Sequence, residues 1–393
     1  MGDLKQAGFN TKAVHAGELK DPRFGNVITP IFENSTFLGP NESPEAYVDN
    51  TNGKPFLYTR WGNPTIQSFE EKYAALEGYS RGISFSSGMS AISASILALA
   101  RPGSRVLTVN GLYGQTYTFL SKTVQKMGIS ASFIDLDQMN SIDGLEKDIS
   151  VVYVETVLNP TLGVSDLDHI SRICRENDIP LVVDSTFSTP FNIRPVNFGA
   201  DITLHSATKY IGGHSDIIMG VAGVSDKFYD AVVNMRKNFG FIPDPIQTFL
   251  ASRGLKTLGL RMKRHNENGM KIARFLEGEK KVKQVHYPGL ESSPYHAIAN
   301  RLMSGYGGMV SFDINGGLDS ARRFMRQLKI PDVAPSLGGV ESLITLPVET
   351  SHASMSREER LKSGITDGLV RFSAGIEDPE DLIEDFQQAF SSV

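Results

Sequence analysis

Short apolar runs alternate with amphipathic stretches along most of this 393-residue chain. The runs Val106–Val109, Val151–Val154, Leu181–Val183 and Ile202–Leu204 are brief and rich in β-branched residues. That is the pattern of strands buried on both faces. Between them, Thr116–Met127 and Leu167–Glu176 repeat apolar residues at helical spacing. Upstream, Asn63-Pro64 combines a capping side chain with proline at a first helical position. Ile66, Phe69, Tyr73 and Leu76 follow on one helical face, and Gly78 marks the stop. Strand–helix alternation of this kind predicts an α/β fold, a mainly parallel sheet with helices on both faces.

The pattern changes at both ends. The first sixty residues or so lack clean periodicity and are rich in Asn, Gly, Pro and Thr, as in Asn34-Ser35-Thr36 and Pro40-Asn41-Glu42-Ser43-Pro44. They predict an extended arm with little core of its own, which a neighbouring subunit would order. Thr248–Leu276 predicts a long helical stretch broken by glycines. Beyond it, strands at Met309–Ile314 and Leu369–Phe372 mix with helices at Ala321–Leu328 and Asp381–Phe390. The expected organisation is an arm over 1–60, an α/β domain over 61–256 and a smaller α+β domain over 257–393. No internal repeat is evident.

Composition narrows the class. Apolar residues make up 40% and charged residues 21%, the proportions of a soluble globular chain. Forty-four acidic against 39 basic residues give a net charge of −5, with no general drive toward nucleic acid or an anionic membrane. The single cysteine, Cys174, excludes an internal disulfide framework. In the amphipathic run Ser171–Glu176 it reads as a buried thiol rather than a reactive one. No apolar run approaches the roughly 20 residues of a membrane span, and Met1–Gln6 lacks an apolar signal core. The expectation is a soluble, cytoplasmic protein. The eight histidines show no metal-ligand spacing, so no metal site is expected. Neither GxxxxGK[ST] nor GxGxxG occurs, which argues against nucleotide chemistry.

Open parallel sheets bind ligands beyond the carboxyl ends of their strands. Leu181–Val183 runs into Asp184, and Ile202–Leu204 runs into His205-Ser206-Ala207-Thr208-Lys209. Either alone would be an ordinary strand-end residue. Ser206 and Thr208 add two hydroxyls beside the lysine, and the small-residue turn Phe85–Ser90 opens an Ala- and Ile-rich helix through Leu99. Such a turn suits phosphate, because helix N–H groups and the helix dipole point at the anion. A lysine, a strand-end carboxylate and a phosphate cradle on one sheet are the components of a pyridoxal phosphate site. The lysine condenses with the aldehyde, the carboxylate keeps the pyridine nitrogen protonated, and hydroxyls and amides hold the phosphate.

With these residues in place, the chain resembles the pyridoxal-phosphate enzymes of cysteine and methionine metabolism, the transsulfuration family. The resemblance runs over nearly the whole chain and rests on Asp201–Asp216, Tyr58–Thr65, Tyr113–Thr116, Val183–Thr186 and Ser336–Gly339. It implies fold type I, the aspartate aminotransferase-like fold, with 61–256 as the cofactor-binding domain. It implies that Lys209 is the cofactor-binding lysine and proton shuttle, that Asp184 pairs with the pyridine nitrogen, and that Tyr113 stacks on the ring and serves acid–base steps. Gly88, Met89, Ser206 and Thr208 would hold the phosphate. Tyr58 and Arg60 would reach it from a neighbouring subunit, implying a homo-oligomer with shared sites, expected as a tetramer built as a dimer of dimers. Arg371 would clamp the substrate carboxylate, a task suited to a bidentate guanidinium, with Asn159 and Ser336 assisting. Taken singly these residues have plainer readings: Met89 and Tyr113 as core, Arg60 beside Trp61 as a surface cation–π pair, Arg371 in a structural salt bridge. All motifs standing in register outweighs them.

Within the family, relatives that handle cystathionine usually carry an acid before the Tyr58-like tyrosine, and many carry glutamate before the Ser336-like serine. Here those positions hold Leu57 and Pro335. Losing a charged partner for a buried ammonium costs roughly a few kcal/mol, so the substrate tail is expected to be uncharged. In the other direction, Gly338–Leu343 and His214–Asp216 are similar to cystathionine synthases and γ-lyases. Gln115 is neither the cysteine of methionine γ-lyases nor the glycine of most relatives. The resemblance implies γ-elimination on a sulfur amino acid, giving 2-oxobutyrate, ammonia and a thiol. The alternative is γ-replacement on an O-activated homoserine, as in cystathionine γ-synthase or O-acetylhomoserine sulfhydrylase.

Overall fold

The computed structural model describes residues 4–39, 48–49, 53–353 and 355–391; the Pro40–Pro44 run lies outside them. The chain forms two compact units, one of residues 1–99 with 201–259 and one of residues 100–200 with 260–393.

The first unit is built on three antiparallel strands, with Gly220–Val224 between Arg81–Phe85 and Ile202–Ser206. Register sets Phe85 and Ser206 on either side of Gly220. The turns leaving Phe85 and Ser206 therefore emerge at the same edge of the sheet. The central strand, Gly-Val-Ala-Gly-Val, carries no periodic signal because its glycines answer to contact rather than to hydrophobicity. A Cβ at Gly220 would lie 2.1 Å from the Ser87 carbonyl oxygen, and one at Gly223 would lie 2.2 Å from the Tyr79 ring.

The helix Pro64–Glu77 forms as its sequence predicts. The Asn63 side chain accepts the Thr65 N–H, Pro64 opens the first turn, and Gly78 closes the helix in the left-handed conformation at φ 101°. Ile66, Phe69, Tyr73 and Leu76 are all buried. The N-terminal stretch differs from the extended arm expected for it, because Phe9–His15 is a helix with Ala13 fully buried. The reason lies far along the chain: the buried Lys72 ammonium donates to the Val14 and Ala16 carbonyls, and Glu18 pairs with both Lys72 and Lys256. The long helical stretch is also cut elsewhere than expected. It divides at Thr257 into Pro245–Lys256 and Leu258–Glu277, and Gly254 and Gly259 lie within the helices.

The second unit contains four parallel strands in the order Leu181–Asp184, Ile149–Glu155, Arg105–Val109, Ser130–Ile134. Its other sheet has five strands, Val282–His286, Met309–Ile314, Leu369–Ser373, Leu343–Thr345 and Asp332–Val333, antiparallel except for the last pair. Helices Gly317–Gln327 and Pro379–Phe390 cover it, with Phe312, Phe324, Phe372, Phe386 and Phe390 clustered between. Phe324 stacks on Phe390 at 4.3 Å between ring centres. The helix expected over Thr116–Met127 is instead a short helix to Thr118, a π turn over Phe119–Thr123 and a 3₁₀ turn to Met127. The widened turn buries Phe119, Leu120 and Val124 together. Helix Leu167–Glu176 forms as predicted and buries the Cys174 thiol. The strand set is thus mixed: antiparallel in the first unit, and in the second a parallel set beside a mainly antiparallel sheet. Among the described residues no helix is long and apolar enough to cross a membrane.

Candidate active site

In the first unit, the two turns that leave the sheet edge meet. Helix Gly88–Leu99 starts directly after Ser86-Ser87, where the Ser87 hydroxyl accepts the Ser90 N–H at 3.0 Å and bonds to the Ser90 hydroxyl at 2.8 Å. A Cβ at Gly88 would stand 2.9 Å from the Ser206 Cβ and 3.0 Å from its hydroxyl oxygen, so the helix start and the Ser206 turn are packed as closely as glycine allows. The turn itself is tightly bonded. The Lys209 N–H donates to the Ser206 carbonyl at 3.1 Å, and the Gly213 N–H donates to the Lys209 carbonyl at 2.8 Å. The Thr208 hydroxyl accepts the Met219 N–H at 3.0 Å, while the Thr208 N–H donates to the Met219 carbonyl at 3.2 Å. Gly88, Met89, Ser206, Thr208 and Lys209 are all half-buried, held yet reachable. Helix Pro245–Lys256 supports the turn from behind, where a Cβ on Gly254 would come 2.4 Å from the Gly212 carbonyl oxygen.

Tyr58 and Arg60 do not join this cluster. They pack with Trp61 on the arm, the Arg60 guanidinium 5.6 Å from the Tyr58 ring centre and 5.9 Å from that of Trp61. Arg60 also donates to the Lys237 carbonyl at 3.0 Å. Tyr58 and Trp61 are exposed, as is Leu57 beside them.

In the second unit, two carboxyls end adjacent parallel strands: Glu155 is the register partner of Asp184. Asp184 accepts the Thr186 N–H at 2.9 Å and the Tyr153 hydroxyl at 3.3 Å. Glu155 accepts the Tyr113 N–H at 2.9 Å. Burial pushes the Glu155 carboxyl up to about 8, and the Asp184 charge pushes the same way against two backbone N–H donors, those of Tyr113 and Asn159. The Tyr113 phenol is also shifted up, first by burial and then by Glu155, with Arg371 opposing. Tyr113 nonetheless keeps an open face, with 40% of its surface exposed.

Arg371 lies on the strand Leu369–Ser373 and is only 5% exposed. One nitrogen donates to the Asn159 side-chain oxygen at 3.1 Å and another to the Ser336 carbonyl at 3.0 Å. The three residues named from sequence as a carboxylate clamp are therefore brought together. Ser336 takes a left-handed φ of 109°, unusual for a residue with a side chain. It is the Ser336 carbonyl that accepts from Arg371. His352, buried nearby, is held down to about 4 by burial and then by the Arg371 charge, so it is neutral. Sequence reasoning passed over both His352 and Glu155. Glu155 did have a signal: it comes after Val151–Val154 just as Asp184 comes after Leu181–Val183. Gln115 and Pro335 are exposed.

These residues fit pyridoxal phosphate. Gly88 against Ser206 leaves a helix start and a hydroxyl-bearing turn at one edge, the donor set that a phosphate takes. Asp184, held by an N–H and a phenol O–H, is equipped to remain an anion facing a pyridinium.

Comparison with known proteins agrees. A model of the Cys/Met metabolism PLP-dependent enzyme family matches residues 10–391. The chain is 42% identical over 383 residues to a cystathionine gamma-lyase of Dictyostelium discoideum, with 97% of each chain covered. It is 38% identical over 395 residues to an L-methionine gamma-lyase of Fusobacterium nucleatum, with 100% of each covered. The crystal structure of metB from Corynebacterium glutamicum matches at a TM-score of 0.92 and 37% identity over 99% of both chains. The fold is that of type I pyridoxal-phosphate enzymes, and the chain belongs to the pyridoxal-phosphate-dependent enzyme family of cysteine and methionine metabolism.

Proposed function

We propose that this chain is a carbon–sulfur lyase that carries out γ-elimination on a sulfur amino acid, releasing 2-oxobutyrate, ammonia and a thiol. The observation that carries the reading is the Arg371 fork, buried and held by Asn159 and Ser336 in the unit that also holds Asp184 and Tyr113. A buried guanidinium so held recognises an α-carboxylate. The similarity to proteins named cystathionine gamma-lyase and L-methionine gamma-lyase supports the reaction class.

When bound, pyridoxal phosphate supplies an electron sink for the substrate's α-carbon. Gly88, Met89, Ser206 and Thr208 would hold its phosphate, and Lys209 would hold its aldehyde carbon until the substrate amine takes that place and frees the lysine amine. Asp184 stays ionised and keeps a proton on the pyridine nitrogen. The Lys209 amine takes the α-proton and returns protons along the substrate chain, and the Tyr113 hydroxyl donates or takes a proton at the departing side. Arg371, with Asn159 and Ser336, holds the carboxylate so that the α-proton faces Lys209. Leu57 and Pro335 place no carboxylate at the positions where relatives carry one, which favours an uncharged tail such as that of methionine.

The functional division we assign is an arm over 1–60, a cofactor-binding region over 61–256 and a C-terminal region over 257–393. Tyr58, exposed on the arm, and the half-buried Arg60 beside it serve a neighbouring subunit's phosphate in a homotetramer, and the protein works in the cytoplasm. Mixing Arg60→Ala with Lys209→Ala subunits restores activity if sites are shared; no recovery would make each subunit self-contained.

The deciding experiment measures 2-oxobutyrate release by the cofactor-loaded protein from L-methionine and L-cystathionine, side by side and without added thiol. Release from methionine supports an uncharged tail pocket. Release from cystathionine alone keeps the elimination and rejects the tail assignment. Release from neither overturns elimination and directs the test to homoserine esters.

A further inference from the structure

We propose that Glu155 is a positioning residue that carries the proton of the strand-end carboxyl pair, fixing Tyr113 through its backbone while leaving Asp184 as the pair's only negative charge. The geometry begins with register. Ile149–Glu155 and Leu181–Asp184 are adjacent parallel strands, and Glu155 pairs with Asp184. Adjacent strands run roughly 5 Å apart, and in-register side chains share one face of the sheet. Two buried carboxyls so placed resist ionising together.

Burial decides which one holds the proton. Glu155 is 5% exposed, whereas Asp184 is half-buried. Asp184 has the N–H of Thr186 and the hydroxyl of Tyr153 to stabilise its charge. The groups facing Glu155 are Asp184 from the neighbouring strand, Tyr113 from the start of the helix Gly114–Thr118, Tyr153 from its own strand, and the Asn159 backbone N–H. None of these is a cation; the Tyr113 and Asn159 N–H groups favour the Glu155 anion, but burial and the Asp184 charge outweigh them. The Arg371 charge reaches Tyr113, where it acts against Glu155. A neutral Glu155 still accepts the Tyr113 N–H at 2.9 Å. It thereby holds the residue whose ring and hydroxyl serve the reaction without adding negative charge beside it.

This inference deepens the pyridoxal-phosphate reading and rests on it for the role of Asp184. Its test does not depend on which amino acid is turned over. Infrared spectra of the cofactor-loaded full-length chain are recorded across pH 5–10 for wild type and Glu155→Gln. The wild type is expected to show a protonated-carboxyl band at neutral pH that fades with a midpoint near 8 and is missing from the variant. A raised folded-state value makes wild-type stability relative to the variant fall as pH rises from 4.5, levelling off above about 8. The melting temperatures should therefore agree near pH 5 and diverge toward pH 8, with the variant higher. A purely structural glutamine-like role would leave that difference flat. If Glu155→Gln fails to fold, Asp184→Asn supplies the second measurement, since removing the neighbouring charge should move the infrared midpoint down. A band missing from wild type at neutral pH, a flat melting difference, or a midpoint unmoved by Asp184→Asn would each overturn the proposal. Loss of turnover on every sulfur amino acid with these signatures intact would instead reject the reading of the reaction.

Discussion

Replacing Arg371 tests the substrate assignment most directly. Its guanidinium is almost wholly buried and spends two N–H groups on Asn159 and the Ser336 carbonyl, which fix the plane of the fork. The fork so fixed is the group that would meet a substrate carboxylate. A charge-assisted hydrogen bond contributes about 1.5–3 kcal/mol, so a two-point contact contributes about 3–6 kcal/mol. At about 1.4 kcal/mol per decade, Arg371→Ala should lower kcat/KM by about 10²–10⁴-fold, most of it in KM. Arg371→Lys keeps the charge but loses the fork, and should fall by about 10–100-fold. Neither change should bleach the cofactor's visible absorbance, because the residues that hold the cofactor are left in place. There is an internal control. Arg371 lowers His352, so Arg371→Ala should raise the His352 value from about 4 toward that of a free imidazole, readable by NMR. A KM within twofold of wild type, with His352 shifted as expected, would show that the charge is gone and that the substrate never used it.

Gly254→Ala drives a Cβ to 2.4–2.5 Å from the carbonyl oxygens of Gly212 and Ile211, on the turn that carries Lys209. Overpacking against backbone costs about 1–3 kcal/mol, so a lower melting temperature and faster cofactor loss on dialysis are expected; Gly278→Ala, whose Cβ would sit at an ordinary 3.6 Å, should do neither. Glu18 is lowered to about 2 by contact with Lys256, the Thr29 N–H and Lys72, against the burial that raises it. A lowered carboxylate adds stability above its unfolded value of 4.5 and loses it as pH falls toward 2, a difference of about 3 kcal/mol. Glu18→Gln should therefore lower the denaturant midpoint at pH 7 but not near pH 2; equal loss at both pH values would remove the charge argument. A substrate carboxylate on Arg371 cancels the cation that lowers Tyr113, so the phenol should titrate higher in the complex than in the free protein. The alkaline limb of kcat should lie above that of kcat/KM, and Tyr113→Phe should erase the gap; coincident limbs in wild type would uncouple Tyr113 from the clamp.

Much of the fold was legible because its signals are local. Asn63-Pro64 and Gly78 bracket a helix through their own backbone chemistry, and the structure starts and stops it there. The short β-branched runs became strands for the same reason, since burial on both faces needs no partner information. What escaped depends on residues distant in sequence. Gly220–Val224 looks like a loop until Ser87 and Tyr79 are seen to leave no room for side chains. Phe9–His15 is a seven-residue helix, marginal alone, and it stands because the Lys72 ammonium takes up the carbonyls at its end. The helical stretch breaks at Thr257 rather than at a glycine, and Gly254 within it makes a close contact with the Lys209 turn.

The site divides along the same line. Asp184 and Lys209 were found by looking just past the end of each apolar run, a search that sheet geometry justifies for any open parallel sheet. Applied to every strand, it also yields Glu155 after Val154 and Asn110 after Val109. Sequence offers no means of ranking these, since all are polar residues at strand ends. The structure ranks them by their surroundings. Asn110 turns to Asp135 and settles a loop. Asp184 receives an N–H and a phenol that favour its charge. Glu155 is buried beside that charge. Three residues that one rule finds alike therefore do different work, and the difference between them lies in the solvent and the donors around each. Those surroundings are set by strand register and burial, which a residue pattern along one chain does not contain.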